Sequence, residues 1–229
     1  RLTLNYTRNS FFRVKNKKPS QLKNIKWMIN LLLIFTLIGC NGYANKQVDT
    51  PSCIDINALR NMEAEALSFC KTNKLNQDFY FIINYNRHSG LERFYVWDFK
   101  RNTITDSFLV SHGCYTSSWG KDETKTDAFL SNKDGSHASS EGKYIIGERG
   151  YSQWGINVKY LLHGMDKTNN NALARTIVLH GWDQVSDDAV YPKGTPEGWG
   201  CPAVSNNTMR TLDAKLKSTQ KRVLLWAVD

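Results

Sequence analysis

The pattern of hydrophobic and polar positions changes from helical to extended near residue 76. Between Asp55 and Cys70, apolar side chains recur every three or four positions, which predicts a helix over 55–72 with Asp55 as its N-cap. From Phe79 onwards the apolar runs are short, aromatic and β-branched, as is typical of strands. We expect a last helix from about residue 206 and strands at 79–85, 93–99, 104–110, 143–146, 157–162, 175–179 and 222–228.

These elements predict a mostly β fold, a β-rich α+β class with a few short helices. The first two strands flank the turn-rich residues 86–90 and should form a hairpin. Residues 115–141 are polar and irregular, and long irregular loops in a β domain are often functional. We expect residues 40–75 to form a tether with a short helix, and residues 76–229 to form the main domain.

The first 39 residues have the order of a basic leader followed by a lipoprotein signal peptide. Residues 1–27 contain eight Lys or Arg and no Asp or Glu, and the apolar stretch after them is too short to span a bilayer. Leu37-Ile38-Gly39-Cys40 resembles a lipobox, so we expect a lipid on Cys40 and a membrane anchor in the cell envelope. The alternatives are an uncleaved anchor or a cysteine without this role. No Met begins the chain, so we expect a start upstream or an untranslated part of residues 1–22.

The distribution of charge argues against a nucleic-acid partner. The formal net charge is +9, but residues 1–27 carry +8 of it. The remainder is close to neutral and has no basic stripe with interleaved aromatic residues. An oxidising envelope would tend to pair cysteines. A helix over 55–72 would nevertheless separate Cys53 from Cys70 by about 25 Å, so we expect no disulfide between them.

Two short segments carry the residue types of thiol-based acyl transfer. Ile177–Trp182 is an apolar run that ends near His180, and Gly198–Val204 contains Cys201. A free thiol is mostly protonated at neutral pH, so a neighbouring imidazole must take its proton. We therefore expect Cys201 to be a nucleophile and His180 to be its base.

Backbone groups next to these residues complete the hypothesis. Gly200 allows the chain to turn, so that its N–H and that of Cys201 can bind an oxyanion. The imidazole also needs an acceptor that fixes its tautomer. Both the Gly181 carbonyl and the Asp183 carboxylate are candidates.

Further motifs surround this pair in a fixed order. They are His112-Gly113, Phe129–Asn132, Ser139–Tyr144, Asn170–His180 and Trp199–Ala203. Together, residues 110–204 resemble the murein L,D-transpeptidase catalytic-domain family, in its branch with Gly-Cys-Pro-Ala at the nucleophile. Two positions depart from that pattern. Gly198 replaces the usual Ser or Thr, and Glu141 replaces an apolar residue.

The resemblance implies an L,D-transpeptidase-like β-sandwich catalytic domain at 76–229 and a ping-pong acyl transfer on peptidoglycan stem peptides, without a cofactor. Cys201 would attack the carbonyl that precedes the terminal D-Ala, and His180 would shuttle the proton. D-Ala would leave, and an amine from a second stem or an acceptor protein would resolve the thioester. We assign substrate contacts to His112, Ser139, Ser140 and Trp199, although Trp199, like Trp182, could instead pack in the core.

A second cysteine motif and a metal site are the alternatives to this assignment. Ser111-His112-Gly113-Cys114 resembles the nucleophile signature of the wider L,D-transpeptidase group. That signature belongs near the end of the domain, where Cys201 lies and Cys114 does not. No pair shows His-x-x-x-His or Cys-x-x-Cys spacing, so we expect no metal site.

Other functions remain open on the sequence. Water as acceptor would make the protein an L,D-carboxypeptidase or endopeptidase. A catalytically silent peptidoglycan-binding lipoprotein and a secreted cysteine peptidase with L,L specificity are two more alternatives. The intact pair of Cys201 and His180 argues against a silent binder, because binding alone needs neither residue. All of these functions are periplasmic or otherwise extracytoplasmic.

Overall fold

The computed structural model describes residues 56–229. Within this range the chain forms two helices, α1 (Ile56–Thr72) and α2 (Asn206–Lys217). It also forms eight strands: β1 (Phe79–Asn84), β2 (Phe94–Asp98), β3 (Thr103–Phe108), β4 (Gly142–Tyr151), β5 (Val158–Gly164), β6 (Val178–Gly181), β7 (Ala203–Val204) and β8 (Leu224–Val228). The strands make one sheet in the order β3-β2-β1-β8-β4-β5-β6-β7.

The strand order places the C-terminal strand in the middle of the sheet. β8 pairs parallel with β1 and antiparallel with β4, so it joins the N-terminal hairpin to the rest of the sheet. β1 and β2 pair antiparallel, with Phe79 opposite Asp98, which confirms the predicted hairpin. β6 and β7 form a second parallel pair, in which His180 lies opposite Ala203.

Both faces of the sheet are buried around β1. Phe81 and Ile83 belong to the main core, which also contains Met209 of α2. Tyr80 and Ile82, on alternate positions, face a second core that α1 covers. The apolar stripe of α1 that was predicted from its spacing supplies the cover, through Leu59, Ala66 and Cys70.

The two edges of the sheet are joined by the chain that follows β3. Ser111 N–H donates to the Ala203 carbonyl at 2.8 Å, and Ala203 N–H donates to Ser111 Oγ at 3.2 Å. Two residues further on, Gly113 forms a parallel bridge with Gly198. Because β3 and β7 are the opposite edges, these bonds nearly close the sheet. They also bring residues 111–113 beside residues 198–203.

The mostly β fold with a few short helices is confirmed, with differences at the ends of elements. β4 runs five residues beyond the predicted end at 146, and β6 begins at Val178 rather than 175. β7 was missed, because two residues are too short to show alternation. The predicted tether of residues 40–75 includes α1, yet α1 packs against the sheet and belongs with the domain.

Several predictions concern residues outside the described range. They are the leader and signal peptide at 1–39, the lipidated Cys40, the N-cap Asp55 and the cysteine Cys53. Cys70, for which the sequence predicted no disulfide with Cys53, is a buried free thiol in α1. Neither α1 nor α2 combines the length and the apolar character that crossing a membrane would need.

Candidate active site

Cys201 lies in the turn that leads into β7, where it is half-buried. Its Sγ accepts a hydrogen bond from the Val178 N–H at 3.4 Å and donates to the Thr176 carbonyl at 3.8 Å. Both partners lie at the start of β6, so the thiol is held against that strand. Thr176 has a φ of +58°, which is a strained conformation for a β-branched residue. The strain coincides with the carbonyl that receives the thiol proton.

His180 lies on β6, beside the turn that carries the thiol. Its Nδ1 is 2.8 Å from the Gly181 carbonyl oxygen. Since a carbonyl only accepts, Nδ1 carries the proton and Nε2 keeps a free lone pair. Of the two acceptors considered from the sequence, the structure thus uses Gly181. The other, Asp183, instead accepts a hydrogen bond from Asn206 Nδ2 at 2.6 Å.

Burial sets the protonation states of the pair. It lowers the pKa of His180, which the Gly181 carbonyl raises and the charge of Lys159 lowers further. Burial raises the pKa of the Cys201 thiol, against a backbone N–H and the charges of Arg175 and Lys159, which lower it. At neutral pH the resting pair is therefore an uncharged imidazole and an uncharged thiol.

Gly200 supplies the backbone conformation next to the thiol. Its φ is +97°, and a Cβ on it would lie 2.5 Å from the Ala138 carbonyl oxygen, so a larger residue would have to move the backbone. Its carbonyl accepts a hydrogen bond from Ser139 Oγ at 3.1 Å. Within residues 56–229, the N–H groups of Gly200 and Cys201 donate to no acceptor. Two adjacent donors are thus available at the thiol.

Two pockets meet at the pair. The aromatic pocket is lined by Trp119, Trp154, Trp182 and Trp199. The polar pocket is lined by Tyr151, Gln153, Lys159 and Thr176, and it shares Trp154 with the aromatic pocket. Cys201 and His180 line both pockets. The thiol and the imidazole therefore border both pockets.

The structure separates the two tryptophans that the sequence left undecided. Trp182 is 4% exposed and packs with Leu109 and Val185 in a small core. Trp199 is 61% exposed and stacks on His137, with 5.5 Å between ring centroids. Trp182 is thus mainly a core residue, whereas Trp199 presents its ring at the aromatic pocket.

Comparison with known protein families identifies the domain. Residues 52–225, more than half of the chain, match the model of the L,D-transpeptidase catalytic domain. The chain belongs to this family. Domains of the family act on peptidoglycan in the extracytoplasmic space. The match begins upstream of α1, in agreement with the packing of that helix on the sheet.

Solved structures match the L,D-transpeptidase domain more weakly. The helical cell shape determining protein Pgp2 (K307A mutant) from Campylobacter jejuni is 14% identical, with 74% of this chain and 55% of that chain covered and a TM-score of 0.39. Bd1075 from Bdellovibrio bacteriovorus is 13% identical, with coverages of 69% and 50% and a TM-score of 0.39. An L,D-transpeptidase from Xylanimonas cellulosilytica is 10% identical, with coverages of 78% and 95% and a TM-score of 0.38.

The chain spans about half the length of the first two of these structures. No curated protein matches the sequence significantly. The family membership of the L,D-transpeptidase domain therefore rests on the sequence match over residues 52–225.

Arg175 holds the loop behind Cys201 of the L,D-transpeptidase domain. Its Nη1 donates to the Ser131 carbonyl and to Ser140 Oγ, both at 2.8 Å. Its Nη2 donates to the Ala138 carbonyl at 2.6 Å and to Ser136 Oγ at 3.3 Å. These four bonds occupy the guanidinium and fix residues 131–140, including the carbonyl that packs against Gly200.

Ser139 and Ser140 lie beneath the pockets rather than in them. Ser139 is 1% exposed, and its Oγ links the Gly113 N–H, at 3.0 Å, to the Gly200 carbonyl. Ser140 is 3% exposed and donates to the Ser131 carbonyl at 3.1 Å. This burial argues against the direct substrate contact that the sequence predicted for both. Their hydrogen bonds connect the 131–140 loop to the turn that carries Cys201.

His112 is likewise fully buried, which argues against the substrate contact that the sequence predicted for it. Its Nδ1 accepts from Arg93 Nη2 at 2.7 Å, so its Nε2–H donates to Thr124 Oγ1 at 2.8 Å. Burial and the charge of Arg93 lower the pKa of His112 to about 3, which keeps it neutral. The Thr124 N–H then donates to Glu197 Oε1 at 2.5 Å. This series of hydrogen bonds supports Gly198, the residue after Glu197, from the buried side.

Cys114 lacks the surroundings of a nucleophile. Its thiol is 3% exposed, and burial together with the nearby Glu197 and Glu123 raises its pKa. Its N–H donates to the Gly198 carbonyl at 2.7 Å, so the segment supports the turn that carries Cys201 through its backbone.

Other residues at the site were not found from the sequence. Lys159 lines the polar pocket because β5 pairs it with His180, and no local motif announces such a contact across strands. Trp119 and Trp154 lie in irregular segments, where their size was the only indication in the sequence of a role at the site. The described range contains no group of three or more His, Cys, Asp or Glu side chains suited to a metal ion.

Proposed function

We propose that the protein is a cysteine L,D-transpeptidase of peptidoglycan, with Cys201 as nucleophile and His180 as general base. The observation that carries the proposal is that the Gly181 carbonyl holds the Nδ1 proton of His180, in a pocket that the Cys201 thiol shares. This tautomer leaves Nε2 free to take a proton. Membership of the L,D-transpeptidase family supplies the substrate class, a peptidoglycan stem peptide.

The proposed reaction has two acyl transfers. Cys201 Sγ attacks the carbonyl that precedes the terminal D-Ala while His180 Nε2 takes the thiol proton. The N–H groups of Gly200 and Cys201 are placed to bind the oxyanion. The C–N bond then breaks, His180 returns the proton to the leaving D-Ala nitrogen, and a thioester remains. An amine from a second stem or a protein attacks the thioester and gives its proton to His180, the C–S bond breaks, and His180 returns the proton to the Cys201 thiolate.

The supporting residues receive roles from their positions. We assign positioning roles to His112, Ser139 and Ser140, whose hydrogen bonds hold the nucleophile turn from beneath. We assign substrate contact to Trp199, whose exposed ring borders the aromatic pocket. An aromatic ring there can stack on the flat faces of a stem peptide or a sugar.

The test is incubation of the purified full chain, kept soluble with a mild detergent, with disaccharide-tetrapeptide muropeptides. A transpeptidase releases D-Ala and forms cross-linked dimers, whereas D-Ala release without dimers indicates a carboxypeptidase. Cys201→Ser should abolish both products, since a serine hydroxyl is far less nucleophilic at neutral pH. Cys114→Ala, which removes the other candidate thiol, should retain activity. Binding of muropeptide without any turnover by folded wild-type protein would favour the silent wall-binding alternative.

We further propose that Cys40 carries a lipid anchor that holds the domain at the cell envelope. The support is the order of basic residues, short apolar stretch and cysteine in the sequence. Stable anchoring needs more than one acyl chain, so a diacylglycerol on this cysteine would suffice. Metabolic labelling with palmitate should mark the wild-type protein and not Cys40→Ala. Recovery of wild-type protein with an unmodified Cys40 thiol would rule out the anchor.

A further inference from the structure

The polar pocket contains a cation without a partner. Lys159 lines this pocket together with the nucleophile and the base. Within residues 56–229, its ammonium takes part in no ion pair and no hydrogen bond. Its charge nevertheless reaches both reacting groups, because it favours the thiolate of Cys201 and disfavours the imidazolium of His180.

Lys159 differs in this respect from the other cation at the site. Arg175 also acts on Cys201 through its charge, but its guanidinium is engaged by four hydrogen bonds to the 131–140 loop. Arg175 therefore has a structural role that accounts for its presence. Lys159 has no such role in the described part of the chain, so its ammonium is open to a ligand.

The sheet fixes where this cation can act. Lys159 on β5 is the direct partner of His180 on β6. In an antiparallel pair, directly opposite residues share one face of the sheet, with Cβ atoms about 4.5–5.5 Å apart. The neighbouring Val158 and Tyr160 point into the main core, so Lys159 points the other way, into the pocket. A ligand group bound by the Lys159 ammonium would thus lie within a few atoms of the carbonyl that Cys201 attacks.

We infer that Lys159 binds the terminal carboxylate of the acyl donor, the carboxylate of the D-amino acid that leaves. This inference rests on the proposed function, in which the donor ends in a free carboxylate one residue beyond the attacked carbonyl. An ammonium is a point charge with three rotatable donors, suited to a carboxylate at the mouth of a pocket. The polar pocket accordingly receives the leaving group, and the aromatic pocket remains for the acceptor.

The assignment is consistent with the balance of the acylation step. Sγ forms a bond to the carbonyl carbon, and the C–N bond to the leaving residue breaks. The proton that His180 took from the thiol passes to the departing nitrogen. The carboxylate keeps its charge throughout and stays paired with Lys159 until the D-amino acid diffuses away. No oxidant or further reactant is needed.

The experiment compares two donors on the full chain: a tetrapeptide muropeptide that ends in D-Ala, and the same muropeptide that ends in D-alaninamide. We expect wild-type protein to use the acid with a kcat/KM about 10- to 100-fold higher than the amide, the range of a charge-assisted hydrogen bond. Lys159→Met should lose this preference through a raised KM for the acid, with little change for the amide. Lys159→Arg should keep part of the preference. Lys100→Met, which removes an exposed charge from the β2–β3 turn, should behave as wild type.

Iodoacetamide, which is neutral and carries no carboxylate, separates substrate binding from an effect on the thiol. If Lys159 acts only by favouring the thiolate of Cys201, Lys159→Met will slow alkylation of Cys201 and lower kcat for both donors alike. This combination of results would overturn the inference. Equal use of both donors by wild-type protein would also overturn it, while D-Ala release would leave the proposed function intact. Release of neither D-Ala nor D-alaninamide from muropeptides by folded protein would reject the proposed function first, and with it the inference.

Discussion

At the scale of single residues, the site is built around an uncharged pair. Cysteine enzymes can rest either as a thiolate with an imidazolium or as a thiol with an imidazole. Here burial favours the uncharged forms of both Cys201 and His180. The Gly181 carbonyl fixes the tautomer in which Nε2 is the base. In the proposed reaction, the proton is therefore transferred during attack rather than before it.

The first prediction concerns pH. In the proposed reaction the neutral imidazole of His180 is the base, and burial lowers its pKa, so kcat/KM should hold on the acid side and fall only below about pH 6.5. Because the pKa of Cys201 is raised, its alkylation by iodoacetamide should have a midpoint above about pH 8.5. N-acetylcysteine is the control. An alkylation midpoint below pH 7 would instead identify a resting thiolate–imidazolium pair.

The second prediction concerns Gly200→Ala. The left-handed φ costs an alanine about 1–2 kcal/mol, and the new Cβ would also meet the Ala138 carbonyl. The turn must shift, so we expect kcat/KM to fall on the order of 10²-fold. Gly135→Ala is the matched control, since Gly135 also has a positive φ but has open space around a Cβ. Equal activity of the two variants would show that the close approach at Gly200 is unimportant.

At the scale of elements, the 131–140 loop and the segment before β6 hold each other in place. Asn132 Nδ2 donates to Asn170 Oδ1 at 2.7 Å, and its own Oδ1 accepts from the Asn171 N–H at 3.1 Å. Arg175 adds its four bonds to the same loop. The motifs that are separated in the sequence are thus joined through hydrogen bonds, and the loop backs the nucleophile turn through Ser139.

The third prediction tests this connection with Arg175→Lys. Lysine keeps the charge but cannot span four acceptors in the geometry of a guanidinium fork. We expect faster hydrogen exchange in the peptide that contains residues 131–140, and a fall in kcat/KM on the order of 10-fold as the nucleophile turn loosens. Arg210→Lys on α2 is the control, because Arg210 is exposed and bonds only Asn207 within the described range. Unchanged exchange in the loop would refute the anchoring role of Arg175.

At the scale of the whole molecule, the sheet needs cover on both faces. α2 packs on the main core and α1 on the second core, and β8 joins the hairpin to the strands that carry the site. The chain after β3 then bonds β7 at the opposite edge. A substitution in the buried face of α1 should therefore destabilise the domain, although α1 does not contact Cys201 or His180.

The fourth prediction is that Leu59→Ala destabilises the domain. Leu59 is 3% exposed in the second core, and loss of a buried leucine typically costs about 2–5 kcal/mol. Urea unfolding should show a lower midpoint, while kcat/KM of the remaining folded protein stays near wild type. Leu173→Ala is the control, because this leucine is 48% exposed. A midpoint equal to that of the control would mean that α1 contributes little to the fold.

The outlines of the fold were predictable because periodicity reports which face of an element is buried. The helical spacing of α1 and the aromatic and β-branched runs of β1 and β2 depend on neighbours along the chain, and all three elements formed as expected. The motif order around His180 and Cys201 likewise indicated the family before any geometry was known. The two-residue strand β7 depends on pairing with β6, in which His180 lies opposite Ala203, so no local pattern contained it. The extension of β4 to Tyr151 pairs with the start of β5 beyond a shift in register, and the sequence pattern did not indicate where that pairing ends.

The sequence by itself determined the residue types of the proposed chemistry: one cysteine in a glycine-rich turn and one histidine at the end of an apolar run. The tertiary structure alone decided how their neighbours divide into buried and accessible groups. Near closure of the sheet buries His112 and Ser139 behind the nucleophile turn. The β5–β6 register places Lys159 beside His180. Burial and cross-strand contact arise from long-range pairing, and a one-residue change of register would turn Lys159 to the opposite face of the sheet.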